Sequence, residues 1–99
     1  MASVRGKAVR WVSDEPQPGW VEVELTDASG TVHSLFDKPP VFVSDDVALL
    51  PDSPYPVPVD IDCTVRGEPG GSAVEVSLRW ASTSDGRLDF VVRRTDVTF

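Results

Sequence analysis

Ninety-nine residues leave room for one hydrophobic core, hence a single domain spanning residues 1–99. Seventeen valines against one isoleucine and six leucines, with nine prolines and seven glycines, exclude a coiled coil, a collagen-like chain and a long-helix bundle. Sixteen acidic against nine basic side chains, a net charge of −7, exclude the cationic surface that a nucleic-acid backbone requires, and 40% hydrophobic residues exclude full disorder.

In chain order, residues 3–12 carry a strand-like mixture with Val4, Val9, Trp11 and Val12 among polar residues. Residues 13–19 hold Pro16, Pro18 and Gly19 and read as a loop. Residues 20–26 alternate cleanly, Val21, Val23 and Leu25 against Glu22 and Glu24, which marks a strand. Asp27-Ala28-Ser29-Gly30 fits a type I turn closed by a glycine with positive φ. The chain then returns over 31–37, in a register that puts His33 and Leu35 on the face of Val23 and Leu25. Lys38-Pro39-Pro40 is a break, and residues 41–43 suit a short strand. Ser44-Asp45-Asp46-Val47 offers a helix cap, which Pro51 limits to a turn or two. Residues 51–56 are extended loop.

Residues 57–66 alternate without a fault, Val57, Val59, Ile61, Cys63 and Val65 inward, with Pro58 confined to an edge or a strand start. After a glycine-rich turn at 67–72, residues 73–81 repeat the pattern with Val74, Val76, Leu78 and Trp80. A turn at 82–86 leads to 87–94, with Leu88, Phe90 and Val92 on one face, and the tail from 95 to 99 is free to pair or fray. Five to six strands joined by short loops predict an antiparallel all-β domain, either a small barrel-like sheet or two layers. Its expected core is Val21, Val23, Leu25, Val59, Ile61, Cys63, Val76, Leu78, Trp80 and Phe90.

Catalytic chemistry is sparse. Cys63 and His33 are the single thiol and the single imidazole, and Cys63 sits mid-strand among inward residues, where cysteine acts as a small hydrophobe. Two such residues cannot complete a zinc shell, and Asp45, Asp46 and Asp52 lack the spacing of a calcium loop. Asp60 and Asp62 share a polar face, where burial would not shift a pKa for acid–base work. The glycines match no phosphate-loop fingerprint. The reading is a non-enzymatic protein without metal or cofactor. A single cysteine cannot form an internal disulfide, and no segment resembles a signal peptide or a membrane span of about 20 apolar residues, so a cytoplasmic protein is expected.

The run Gly19-Trp20-Val21-Glu22-Val23-Glu24-Leu25-Thr26-Asp27-Ala28-Ser29-Gly30, then His33, Asp37-Lys38 with Pro40-Val41-Phe42, Tyr55-Pro56, Ile61-Asp62-Cys63 and Phe90-Val91-Val92, resembles short uncharacterised bacterial all-β proteins. That resemblance implies a compact β domain that stands alone. It assigns no catalytic residue, and it leaves Asp37-Lys38 as a candidate salt bridge.

Charge is unevenly spread. Residues 1–12 carry Arg5, Lys7 and Arg10, whereas residues 13–62 hold eleven acids and one base, Lys38. This points to a domain that docks a basic protein partner, in the manner of small acidic immunity proteins that neutralise basic toxins; the analogy is one of class, not of motif. The candidate contacts are Asp45, Asp46 and Asp52, with Trp20 and Tyr55 as aromatic anchors. The alternative is a small-ligand or carbohydrate-binding β domain using Trp20 and Tyr55.

Overall fold

The computed structural model describes residues 2–15, 19–39, 42–43 and 49–99. The fold is all-β, as the alternation predicts. The strands are β1 (Ala2–Ser13), β2 (Trp20–Thr26), β3 (Val32–Asp37), β4 (Phe42–Val43), β5 (Val57–Gly70), β6 (Ala73–Leu78), β7 (Asp89–Arg93) and β8 (Val97–Thr98), with one turn of 3-10 helix at Arg94–Asp96. Six of them form an antiparallel half-barrel sheet in the order β3-β2-β1-β5-β6-β7. β4 adds to β5 and β8 adds to β1. The helix cap expected at 44–47 lies outside the described residues.

The two outer strands of the sheet approach each other. The Ala28 N–H donates to the Val91 carbonyl at 2.8 Å, and a single bridge joins Leu35 to Thr83. Inward side chains from β1 to β7 fill the enclosed space: Val4, Val21, Val23, Leu25, Leu35, Val59, Ile61, Val74, Val76, Phe90 and Val92 are almost completely buried. Among the described residues no polar or charged residue is buried. Nine of the ten expected core residues belong to this cluster, and the β2–β3 register is the expected one, with Val23 opposite Leu35 and Leu25 opposite His33.

The irregular pattern of β1 has a local cause. Pairing with β2 shifts twice, between Ala8 and Arg10 and between Trp11 and Ser13. Each bulge inserts one residue and so flips the faces that follow. Without the first bulge Arg10 would follow Ala8 inward. With it, Arg10 faces Glu22 on the outer side and Trp11 turns in beside Val21. Trp11 then lies over Gly19, where a Cβ would collide with the indole and φ is +122°, so only glycine fits.

Trp80 is the correction. The continued alternation of β6 placed it in the core, yet it is 60% exposed, and β6 ends at Leu78. Cys63 pairs with Leu78, so a longer β6 would set Trp80 opposite Ile61. Phe42 of β4 holds that place, opposite Ile61 and buried. Leu88 was likewise expected inward and is 42% exposed, because β7 begins only at Asp89.

Candidate functional site

The densest polar cluster sits on the β2–β3 turn. Asp27 Oδ1 accepts from the Ser29 N–H at 3.0 Å, the Ser29 hydroxyl at 2.7 Å and the Thr31 N–H at 3.0 Å. Its Oδ2 lies 2.8 Å from His33 Nε2. The hydrogen bond with His33, then those from Ser29 and the Thr31 backbone, hold the Asp27 carboxyl well below the usual carboxylate range. The His33 ring packs edge-on against Phe90 of β7, with centroids 4.9 Å apart. In this cluster the carboxylate is the hub, whereas a nucleophile relay needs the imidazole between hydroxyl and carboxylate. The Ser29 hydroxyl bonds Asp27, not His33, so the arrangement fixes a turn and a seam. The Asx-turn at Asp27 could have been read from the Asp-Ala-Ser spacing; the contact with Phe90 could not.

Cys63 is buried on β5, and its thiol pKa is raised, first by burial and then by the neighbouring Asp62. A thiol kept protonated is a poor nucleophile. Asp60 lies 3.9 Å from Arg5 across the β1–β5 pair. Glu22 bonds Arg10 at 2.6 Å and accepts from the Ser34 hydroxyl at 2.8 Å, and these bonds, Ser34 first, lower its pKa. The cations of β1 therefore offset part of the acidic middle segment. The Asp37-Lys38 pair is not a salt bridge: Asp37 accepts from the Lys38 backbone N–H at 2.8 Å.

Of the candidate contacts, Asp45 and Asp46 lie outside the described residues. Asp52 is exposed on a turn that is tied on itself. The Ser53 N–H donates to the Leu50 carbonyl at 3.1 Å, the Leu50 N–H donates to Ser53 Oγ at 2.9 Å, and the Tyr55 hydroxyl donates to the Leu50 carbonyl at 2.7 Å. Leu49 anchors the turn in the core, while Leu50 is 52% exposed beside Asp52. Tyr55 packs against the core and staples the loop, and its pKa is raised mainly by burial. Trp20 is half-buried at the head of β2, opposite Ser13. No hydrogen bond or ring contact among the described residues brings Trp20 and Tyr55 together.

Two surface features were missed by sequence reasoning. Trp80 and Leu88 are exposed in the β6–β7 loop, and the Arg79 guanidinium lies 5.2 Å from the Trp80 ring centroid. Two open cavities also share Arg93 as a wall. One, of about 410 Å³, is lined by Arg5, Lys7, Glu24, Pro58, Arg93 and Asp96 among others. The other, of about 520 Å³, lies between the β5–β6 turn and the end of β7, and its polar side chains are Ser72, Arg93, Arg94 and Thr95. The smaller gathers residues from β1, β2, β5 and the end of β7, and the larger joins the β5–β6 turn to the end of β7 and to Ala28, so neither has a local signature. Among the described residues, no group of three or more His, Cys, Asp or Glu side chains could hold a metal ion, and no helix is long and apolar enough to cross a membrane. Compared with known protein families, curated proteins and solved structures, the chain matches none.

Proposed function

We propose that the protein is a non-enzymatic interaction domain, acting in the cytoplasm, that docks a basic protein partner through its acidic loop. One observation carries this reading: the turn at 50–53 presents an exposed carboxylate, Asp52, beside an exposed Leu50 on a loop already stapled by Tyr55 and Ser53. A loop ordered before contact loses little conformational entropy on binding. The apolar side chain supplies contact area, and the carboxylate, within a chain of net charge −7, supplies attraction at a distance. The size and charge are those of small acidic proteins that neutralise basic toxins. The test begins with a partner recovered by co-purification and measures association rates at two salt concentrations. Asp52→Asn should slow association, added salt should do the same, and Leu50→Ala should speed dissociation. An association rate indifferent to salt and to Asp52 overturns the reading.

A second reading, a carbohydrate-binding β domain, is favoured by Trp80. Tyr55 has its hydroxyl engaged and Trp20 is half-buried, whereas Trp80 offers a ring to solvent. Quenching of tryptophan fluorescence by a sugar, abolished in Trp80→Ala, would support it over the first.

A further inference from the structure

Cations in this chain are few, and their placement is uneven. Four of its nine, Arg5, Lys7, Arg93 and Arg94, line the two cavities that meet at Arg93. The smaller cavity also holds Glu24 and Asp96. The larger holds no carboxylate: its charged residues are Arg93 and Arg94, joined by the hydroxyl residues Ser72 and Thr95. In a protein with sixteen acidic side chains, a cavity whose polar side chains are all cations or hydroxyls, set among Ala28, Gly71 and Ala73, runs against composition.

The walls are also fixed in advance. The Arg94 N–H donates to the Ser72 carbonyl at 2.8 Å, which ties the end of β7 to the β5–β6 turn. Arg94 pairs with Glu68, and its guanidinium carbon lies 5.1 Å from the Phe99 ring centroid, so its side chain is held on two sides. Arg93 makes no ion pair among the described residues, and its charge is available. Guanidinium groups present planar forks of N–H donors suited to oxyanions. The Arg93 fork, the Arg94 donors that Glu68 does not take, and the hydroxyls of Ser72 on the β5–β6 turn and Thr95 after β7 offer donors from several directions. That suits a tetrahedral oxyanion better than a flat carboxylate. The volume falls within the range of small-molecule sites, about 300–1,000 Å³.

We propose that this cavity binds a phosphate group, with Arg93 and Arg94 as the charged contacts and Ser72 and Thr95 as hydroxyl donors. It shares no residue with the Asp52 loop and calls for no protein partner, so it stands or falls apart from the docking reading.

The test is a titration of the isotope-labelled protein, followed by amide NMR, with inorganic phosphate, with glycerol phosphate, and with sodium chloride at matched ionic strength. Saturable shifts centred on Ser72 and on Arg94–Thr95 with either phosphate, not reproduced by chloride, are expected. Tighter binding of glycerol phosphate marks a phosphorylated small molecule as the source, and tighter binding of the free ion marks inorganic phosphate. Arg93→Gln should weaken binding by about tenfold or more, while Lys38→Gln should leave it unchanged. Arg93 is exposed, so its replacement spares the fold. Shifts that chloride reproduces, a titration that never saturates, or equal affinity in Arg93→Gln overturns the proposal.

Discussion

At two places in the sheet a principal strand leaves its neighbour's edge and a two-residue strand takes over. On β5, β6 pairs as far as Cys63–Leu78, and β4 continues from Ile61 with Phe42. On β1, β2 pairs as far as Lys7–Glu24, and β8 continues from Val4 with Val97. The first handover spans one residue, Asp62, whose carbonyl accepts the Arg79 N–H at 3.1 Å. The second spans two, Arg5 and Gly6, and there the smaller cavity opens. One device thus gives two results. Where an inward aromatic side chain fills the junction, the sheet is sealed and Trp80 is pushed into solvent. Where the intervening residues are a glycine and an outward arginine, the outer face is left open and lined with charge.

The comparison breaks most sharply at Phe42. It is buried and pairs with Ile61, so Phe42→Ala should cost about 3–5 kcal/mol, read from urea unfolding. A loss below about 1 kcal/mol would mean that β4 does not seal the junction. At the open handover, Gly6 is the vulnerable residue. A Cβ there would sit 2.8 Å from Ile61 Cδ1 and 3.0 Å from the Glu24 carbonyl oxygen. Gly6→Ala should therefore cost about 1–3 kcal/mol by overpacking, since the neighbours are a core side chain and backbone. An unchanged urea midpoint would show that β1 and β2 separate freely at this point.

A third junction, the seam where the β2–β3 turn meets β7, is held by polar groups and so should respond to pH. Asp27 has a depressed pKa in the folded protein. A carboxylate of this kind stabilises the fold above its unfolded value of about 3.9, and the contribution fades as pH falls below that value toward the lower folded one. Asp27→Asn should lower stability at neutral pH by about 1–2 kcal/mol. The gap between wild type and variant should narrow as pH is lowered below about 4. Urea midpoints at pH 7 and pH 3 test this, and a gap that stays constant would remove Asp27 from the acid response.

The sheet was legible wherever local alternation decides the face. Residues 57–66 and 20–26 put their apolar side chains inward as their period of two requires, and the Asp27–Gly30 turn fixes the β2–β3 register. Reading failed where a distant strand competes for an edge. Nothing near Trp80 says that Phe42, far back in the chain, has taken its position opposite Ile61. The bulges of β1 were hidden for a related reason: they answer to the faces of β2, not to β1 itself. The sites divide in the same way. The Asp52 loop is continuous in sequence and could be picked out by composition. The Arg93 cavities gather residues from separate segments, the smaller from both ends of the chain and the larger from positions 28, 71–73 and 93–95, and could not.

The smallest expected effect separates a cleft that supports the fold from one that is merely open to solvent. Lys7 and Glu24 face each other across β1 and β2 and line the smaller cavity, yet no ion pair joins them. If the junction owed its stability to these charges, neutralising either would expose the other to an unbalanced environment and shift the urea midpoint. Lys7 is exposed and Glu24 half-buried at an open cleft, and charges that make no ion pair among the described residues contribute little there, because water and salt already screen them. Lys7→Gln and Glu24→Gln should each change stability by less than about 0.5 kcal/mol, and the double variant should equal their sum. A coupling of about 1 kcal/mol or more between them would show that the two side chains clamp the strands in solution. The open handover would then be sealed by charge as the other is sealed by Phe42.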